Sequence, residues 1–296
     1  MVNFIDPLPE GFSRGNLDLT KPVDNLTAML KLQGDFSGEQ RLSAFEGQAW
    51  GWIPDEQNPM LFGTFGIACS RMEFNSEEDG YRFYHKEVLY YTDLKTGKVL
   101  DTWVNPLTGY EVEVRHILND PVHRFYPLSG GRFSPPYPYK VLGDRLVFQM
   151  DIFRAQPDNP INRKDYPLHS QQDTYQSGEM WAISGSLKEV NDPEKTNAYC
   201  HTSWGRIAMW LPFMEMGNRP GFMVYHSQTY SCPNGKADLP DYFREYTEEN
   251  YPQYLEAATE WDNGRQENSW TVTKKEIDKR RAEGRNVGQS VFGVQK

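Results

Sequence analysis

The chain has little cysteine: three in 296 residues (Cys69, Cys200 and Cys232), an odd and scattered set. Such a set makes no disulfide framework and suits reduced thiols in a cytoplasm, the expected compartment. Long apolar runs are missing too, so no segment reads as a bilayer-spanning helix and no membrane partner is expected. The opening MVNFIDPLPEGFSRG has neither a basic stretch nor an apolar core, so no secretory signal is expected. Positive charge is in deficit, with 31 Lys and Arg against 41 Asp and Glu and a net charge of -10. A polyphosphate would be repelled over most of such a surface, which argues against nucleic acid. The chain also lacks a Walker loop, a GxGxxG, an HExxH and a GxSxG elbow. His85-Lys86-Glu87 matches the HxE half of a zinc-deaminase signature, but its PCxxC half is missing. What remains is chemistry without an organic cofactor, or chemistry assisted by a metal.

Aromatic residues are plentiful, with 17 Tyr, 16 Phe and 8 Trp making up 14% of the chain. Rings pack well on pleated surfaces and line flat-walled binding sites. The mean hydropathy of -0.73 is polar, yet 296 residues are enough to bury a sizeable core. A short helix is expected near residues 24–33, with Asp24 as its cap, Leu26, Met29 and Leu30 on one face and Gly34 closing it. From about residue 45 to 235 the hydrophobic period is two, as in PMLFGTFGIACSRMEF, YRFYHKEVLYYTD and AYCHTSWGRIAMW. The proline-rich FYPLSGGRFSPPYPYK is long enough to be a lid. Residues 239–284 read as helical, broken at Pro252. Many antiparallel strands usually close to avoid free edges. The expected architecture is therefore all-β: an antiparallel calycin-like β-barrel with a short N-terminal helix and C-terminal helices, one domain over residues 1–296.

Two near-identical turns, DLKTG (93–97) and NPLTG (105–109), each end in Gly, where a left-handed residue closes a hairpin loop. Equal loops apply any pairing offset twice, so odd residues of 81–92 share a face with odd residues of 110–118. The even face (Tyr84, Val88, Tyr90, Val112, Val114, His116) is the more apolar and is expected to point inward. A β-bulge near Glu87 would bring that carboxylate in beside His116. His116 reads either as a general acid or base with its pKa lowered by desolvation, or as a structural histidine bound to a neighbour. Asn119 reads as a turn residue or a ligand-facing group at the barrel mouth. Trp103, Trp181, Trp204 and Trp210 read as core or as a flat-walled pocket, and Arg154 as solvated or as a carboxylate receptor. His85, His123, His201 and His226 with Asp151 or Glu87 would suit zinc or iron, but their spacing is loose and no metal ligand set is assigned.

The segment YHKEVLYYTDLKTGKVLDTWVNPLTGYEVEVRHILNDPV resembles domain-of-unknown-function family 1838, found in bacteria and filamentous fungi. The resemblance rests on Glu87, Tyr91, the Asp93…Thr96-Gly97 turn, Trp103-Val104-Asn105-Pro106, Gly109, His116 and Asn119-Asp120-Pro121-Val122. It covers residues 45–125 most strongly and extends to about 235. Fungal members lie near small-molecule pathways, so the resemblance implies secondary metabolism. The leading expectation is an enzyme without cofactor that binds a hydrophobic or aromatic substrate in a barrel cavity. Its chemistry would be cyclisation, isomerisation or a lyase reaction, with a Diels–Alder type cyclase as the fold-level analogy. His116 and Glu87 would be catalytic. Tyr90, Tyr91, Trp103, Asn119, Arg154, Trp210 and His201 would contact substrate. A lipocalin-like carrier of an apolar ligand is the alternative, and a metal-dependent lyase or hydrolase the second. The C-terminal helices are expected to offer a homodimer contact.

Overall fold

A computed structural model describes residues 3–130, 134–261 and 269–285 of the chain. The first element is α1 (Pro22–Gln33), opened by Pro22 with Lys21 at the N-cap and ended at Gly34. Asp24 is not its cap. It sits in the first turn, where a carboxylate favours the exposed N–H groups, and accepts the Asp18 backbone N–H at 2.9 Å. The period-two segments follow as β1 (Arg41–Trp52), β2 (Met60–Asn75) and β3 (Gly80–Thr92). Next come four short strands: β4 (Thr102–Val104), β5 (Glu111–Glu113), β6 (Ile117–Asn119) and β7 (Arg124–Pro127). The second half holds β8 (Tyr139–Leu142), β9 (Arg145–Gln156) and β10 (Tyr175–Ser186). A four-residue α2 (Leu187–Val190), β11 (His201–Ala208) and β12 (Phe222–Cys232) complete it. Then come α3 (Asp241–Asn250), a 3-10 turn at Pro252–Leu255 and α4 (Ser269–Ala282).

Ten strands form one antiparallel sheet in the order β6-β3-β2-β1-β12-β11-β10-β9-β8, with β7 also on β3. Two meanders are thus joined through the β1–β12 pair, which runs from Leu42↔Cys232 to Trp52↔Phe222. The sheet is largely β as expected, but it does not close into a barrel. Among the described residues its edges, β6 and β7 at one side and β8 at the other, are not paired with each other. Helix α1 fills the seam instead. Leu26, Met29 and Leu30 share one core with Tyr81, Phe83 and Tyr126 from the first edge and with Leu146 and Phe148 from the second. An inserted helix buries the apolar side chains of both edges, so closure by strand pairing is not needed to keep them from water. The chain crosses the seam between β7 and β8 in the proline-rich loop, of which residues 131–133 lie outside the described residues. Its far end is pinned to α1: Asn25 accepts the Tyr137 N–H at 2.7 Å and donates to the Tyr137 carbonyl at 3.2 Å.

The two matching turns form as read. Gly97 N–H donates to Asp93 O at 2.9 Å and Gly109 N–H to Asn105 O at 2.8 Å, with φ of 68° and 76°. A Cβ at either glycine would meet nothing within 4 Å, so only backbone conformation resists substitution. Gly97→Ala and Gly109→Ala are each expected to cost about 1 kcal/mol in a urea melt, the strain of a left-handed residue with a side chain. The strands after these turns do not stay in the main sheet. β4 and β5 pair only with each other, and they fold over its end with Trp103 at 4.5 Å from the Phe62 ring.

Both faces of β3 are covered, which corrects the expected inward face. The even residues Val88 and Tyr90 lie under the C-terminal helical segment with Leu239, Tyr254 and Leu255. The odd residues Phe83, Leu89 and Tyr91 face the interior. Alternation in the sequence reported the apolar faces correctly, but two apolar faces mean two covers, not one core and one solvent side. The register of β3 carries no bulge, so Glu87 faces inward by simple alternation.

Candidate functional site

The interior face follows from register. Phe83, His85, Glu87, Leu89 and Tyr91 on β3 share it with their cross-strand partners Asn119 on β6 and Arg124 on β7. Continued through the sheet, the same face carries Thr64, Gly66, Ala68 and Ser70 on β2 and Gly47 on β1. It then carries Tyr225 and Ser227 on β12, Trp204 and Arg206 on β11, and Glu179 and Trp181 on β10. Arg124, at one edge of the sheet, lies 5.7 Å from the Trp181 ring on β10. The sheet therefore curls, and this face is its inside.

Along the inside, two apolar plugs bracket a polar belt. On β3, Phe83 belongs to the plug with α1, and Leu89 and Tyr91 to the plug under the β4–β5 hairpin; His85 and Glu87 lie between them. The belt's side chains touch one another in a circuit. His85 Nε2 is 3.4 Å from Glu87 Oε2 and 3.5 Å from Arg124 Nη2. Arg124 stands over Trp181, Trp181 is 5.9 Å from Trp204, and Trp204 is 5.9 Å from Tyr225. Tyr225 then shares a hydroxyl hydrogen bond of 3.1 Å with Tyr91, back on β3. Glu179 accepts from Trp204 Nε1 at 3.3 Å and sits 3.9 Å from Arg206, which donates to Tyr175 at 3.0 Å.

The belt holds five buried polar atoms without a hydrogen-bond partner among the described residues: His85 Nδ1, Asn119 Oδ1, Trp181 Nε1, Arg206 Nε and Ser227 Oγ. Buried polar groups are nearly always satisfied, so five on one face single out the belt as the least satisfied polar region among the described residues. Glu87 and Glu179 keep 27% and 24% of their side-chain surface exposed, so water reaches both carboxylates.

Electrostatics set the protonation. Burial and the Arg124 charge push the His85 imidazole below its ordinary value, against the pull of Glu87, so His85 is neutral at pH 7. Burial alone would raise the Glu87 carboxyl. The His85 hydrogen bond, the Arg124 charge and the 2.6 Å bond from Asn119 overcome it and hold Glu87 ionised. One imidazole nitrogen cannot both donate to Glu87 and accept from Arg124. The carboxylate contact assigns the proton to Nε2, which leaves Nδ1 as a base. Burial keeps the Tyr91 and Tyr225 phenols protonated, Tyr225 being pushed up to about 12.

The residues proposed from sequence divide sharply. Glu87, Asn119 and Tyr91 come together on the belt. His116 does not join them. The strand expected over 110–118 is interrupted, and His116 lies in the break between β5 and β6. There its Nδ1 accepts the Tyr91 backbone N–H at 3.2 Å, supplying the partner that β3 loses where β6 ends. Tyr90 is on the opposite face, bonded to Thr247 at 2.9 Å. His201 also faces outward, since its neighbour Thr202 takes the inner position on β11. Arg154 is exposed near the end of β9. Trp103 and Trp210 belong to the hairpin-side plug, with Trp210 Nε1 donating to the Arg219 carbonyl at 3.0 Å. Of the four histidines weighed for a metal, His85 and His123 are neighbours, the His85 backbone N–H donating to His123 Nδ1 at 3.3 Å, while His201 and His226 lie apart from them on β11 and β12. Only His85 reaches the belt, and no group of three or more His, Cys, Asp or Glu among the described residues is placed to hold a metal ion.

With this geometry in view, comparison with protein families gives one result. The family described as "Protein of unknown function (DUF1838)" matches residues 38–277. The chain belongs to the DUF1838 family. A comparison with curated proteins gives no match. The matched span of this DUF1838 protein takes in every strand of the sheet and most of α4, so both walls of the belt lie within it. No helix among its described residues is long and apolar enough to cross a membrane.

Arg124, Glu179, Arg206 and Ser227 escaped the sequence reading. Arg206 carried a usable signal, because it interrupts the inward row Thr202, Trp204, Ala208 as His116 interrupts its own. Glu179 does the same before Trp181 and Ile183. Arg124, in a four-residue strand, carried none.

Proposed function

We propose that this DUF1838 protein is a small-molecule enzyme of the isomerase, cyclase or lyase type, and that it acts by proton transfer on the inner belt without an organic cofactor. The observation that carries this reading is the Glu87–His85 pair with an uncommitted Nδ1. The pair has the elements of a general base: a neutral imidazole, a carboxylate that fixes its tautomer, and a second donor, Asn119, that fixes the carboxylate. In this role His85 takes over what the sequence assigned to His116.

The chemistry follows from the surrounding charges. His85 Nδ1 takes a proton from carbon next to a carbonyl, and the electron pair moves onto the carbonyl oxygen as an enolate. Guanidinium and indole donors fixed around the belt stabilise that developing charge, and they need no reorganisation as it forms. The same imidazole returns the proton at another carbon, which completes an isomerisation, or to a departing oxygen, which completes an elimination. The Trp181–Trp204–Tyr225 wall supports a flat, apolar substrate body.

The test needs no natural substrate. In D2O, wild-type protein should accelerate exchange of the α-protons of 1-tetralone and 2-tetralone, followed by NMR. His85→Phe should fall to the buffer rate, and Glu87→Gln should lose about 100-fold, within the usual worth of a positioned base. Because the His85 pKa is depressed, the base is already free at neutral pH. The wild-type rate should therefore stay flat from pH 7 upward and decline only below the ordinary imidazole range. Exchange at the buffer rate for both ketones would sink the acid–base reading.

A further inference from the structure

The outer face of the sheet is covered unevenly. Over β1, β2 and β3 the segment carrying Leu239, Phe243 and Tyr254 packs on Phe65, Ile67, Val88 and Tyr90. Farther along, register sets an apolar row on the same face: Ile207 opposite Val224, Val224 opposite Trp50, and Trp50 beside Met60. Met180 lies in the next outer row to one side, and the Phe222–Trp52 pair in the next row to the other. Met180, Ile207, Phe222, Trp52 and Met60 each keep between 37% and 58% of their surface exposed. The patch is also flat. Gly205 takes the outer position opposite Met180, and the Met180 methyl lies 3.4 Å from where a Cβ on that glycine would stand.

Area and charge decide what covers it. An aromatic side chain carries about 150–250 Å2, so these five side chains leave roughly 500 Å2 of apolar surface in one patch, at the upper end for a monomer. A stable dimer takes about 800 Å2 from each partner, and the polar outer residues beside the row, Gln48, Ser203, His226 and Gln228, extend the face toward that figure. Each of these four carries a donor and an acceptor on one side chain, so each can meet its own copy across a two-fold axis. Ionised groups stand only at the margins of these rows, Asp151 on β9 and Glu46 on β1, in a chain of net charge -10. A strongly charged partner would find little to pair with there, whereas a second copy meets a face as neutral as its own. We infer that this DUF1838 protein forms a homodimer by stacking the outer face of β10, β11, β12 and β1 on the same face of a second copy. Flat sheets stack in this way about 10 Å apart. The contact lies on the sheet instead of the C-terminal helices, and on the side opposite the inner belt.

Sedimentation velocity of the full chain reads the mass directly, at concentrations up to about 100 µM, a range that an interface of this size should populate. Wild-type protein should sediment at twice the 34.3 kDa chain mass. Ile207→Lys should weaken association at least about 100-fold, because it sets an unpaired ammonium in the middle of the contact. Gly205→Lys should do the same by another route. A Cβ there meets only the Met180 methyl and the Tyr225 carbonyl oxygen, at 3.4 and 3.8 Å, so the monomer accepts the side chain while two flat faces are held apart. Circular dichroism of both variants should match wild type, since neither change touches the core. Val272→Lys, at an exposed apolar position of α4, should leave the dimer intact. A wild-type monomer throughout the range overturns the assignment, and its flotation with phosphatidylcholine vesicles would then give the face to lipid. A dimer that survives both face variants, or one that Val272→Lys dissociates, overturns it equally.

Discussion

Replacing Lys31 with methionine should lower the stability of the protein by about 4 kcal/mol, measured by urea unfolding. Lys31 lies in the last turn of α1 with no exposed surface. Its ammonium donates to three carbonyls, Arg14 O at 2.5 Å, Val190 O at 3.0 Å and Asp192 O at 2.8 Å. The first belongs to the N-terminal arm and the others to α2 and the turn after it, so one side chain ties three segments to the seam. Methionine fills the space of the stem but leaves three carbonyls short of a donor, at about 1–3 kcal/mol each before relaxation. Burial costs the ammonium part of its charge preference, pulling its pKa down to about 8 against a partial offset from Asp192. It is nonetheless charged at neutral pH, and its hydrogen bonds must outweigh that cost. A loss below about 1 kcal/mol would mean that the ammonium's burial cost cancels its hydrogen bonds.

Acidification from pH 6.5 to 4 should remove about 3 kcal/mol through His116 alone. Burial, with the Arg115 charge, holds its pKa down at about 4 against an ordinary 6.5. The folded-state value is therefore below the unfolded one. Between the two, the unfolded chain binds more protons, so stability rises with pH across this window and is lost as pH falls through it. The depressed His85 acts with the same sign, and Glu87, also depressed, adds a further loss below its ordinary value of 4.5. His116→Asn separates the contributions. Its side-chain oxygen can still accept the Tyr91 N–H, so stability at pH 7 should change little while the slope between pH 6.5 and 4 flattens. An unchanged slope in that variant would assign the acid sensitivity to other groups.

His116 also shows where sequence reading reached its limit. The strands, the two glycine-closed turns, the helix before residue 34 and the break at Pro252 were all legible, because each depends on local period or turn chemistry. The pairing parity held only over β6, where Ile117 lies opposite Leu89; Val112 and Val114, expected beside Val88 and Tyr90, pack with Leu89 and Tyr91 because β5 leaves the main sheet. What local pattern does not encode is which covered face is the inside. Val88 and Tyr90 are as apolar as Leu89 and Tyr91, and only the later packing of Leu239, Tyr254 and Leu255 makes the first pair an outer layer. Closure was equally hidden. An open sheet and a barrel have the same strand pattern, and the difference lies in α1, whose buried Asn25 and Lys31 look like surface residues until their distant partners are known. The belt was half visible: Glu87, Asn119, Tyr91, Trp181 and Trp204 were all singled out, while the charged groups opposite them come from strands far along the chain.

The pairing of β1 with β12 has a consequence for how the chain reaches this structure. β1 is made early, but one of its two neighbours begins at Phe222. Until that strand is synthesised, the first meander presents β1 as a bare edge, with Trp50 and Trp52 along it and no partner of its own. Such an edge is a template for wrong partners, and non-local pairing of this kind is slow. The sheet is therefore completed from its middle, after both halves exist, and the inner belt, which draws on both halves, is assembled in that last step. Vulnerability to aggregation should be concentrated in chains that end before Cys232, and a temperature or mutation that slows docking of β12 would reduce yield without altering the finished site.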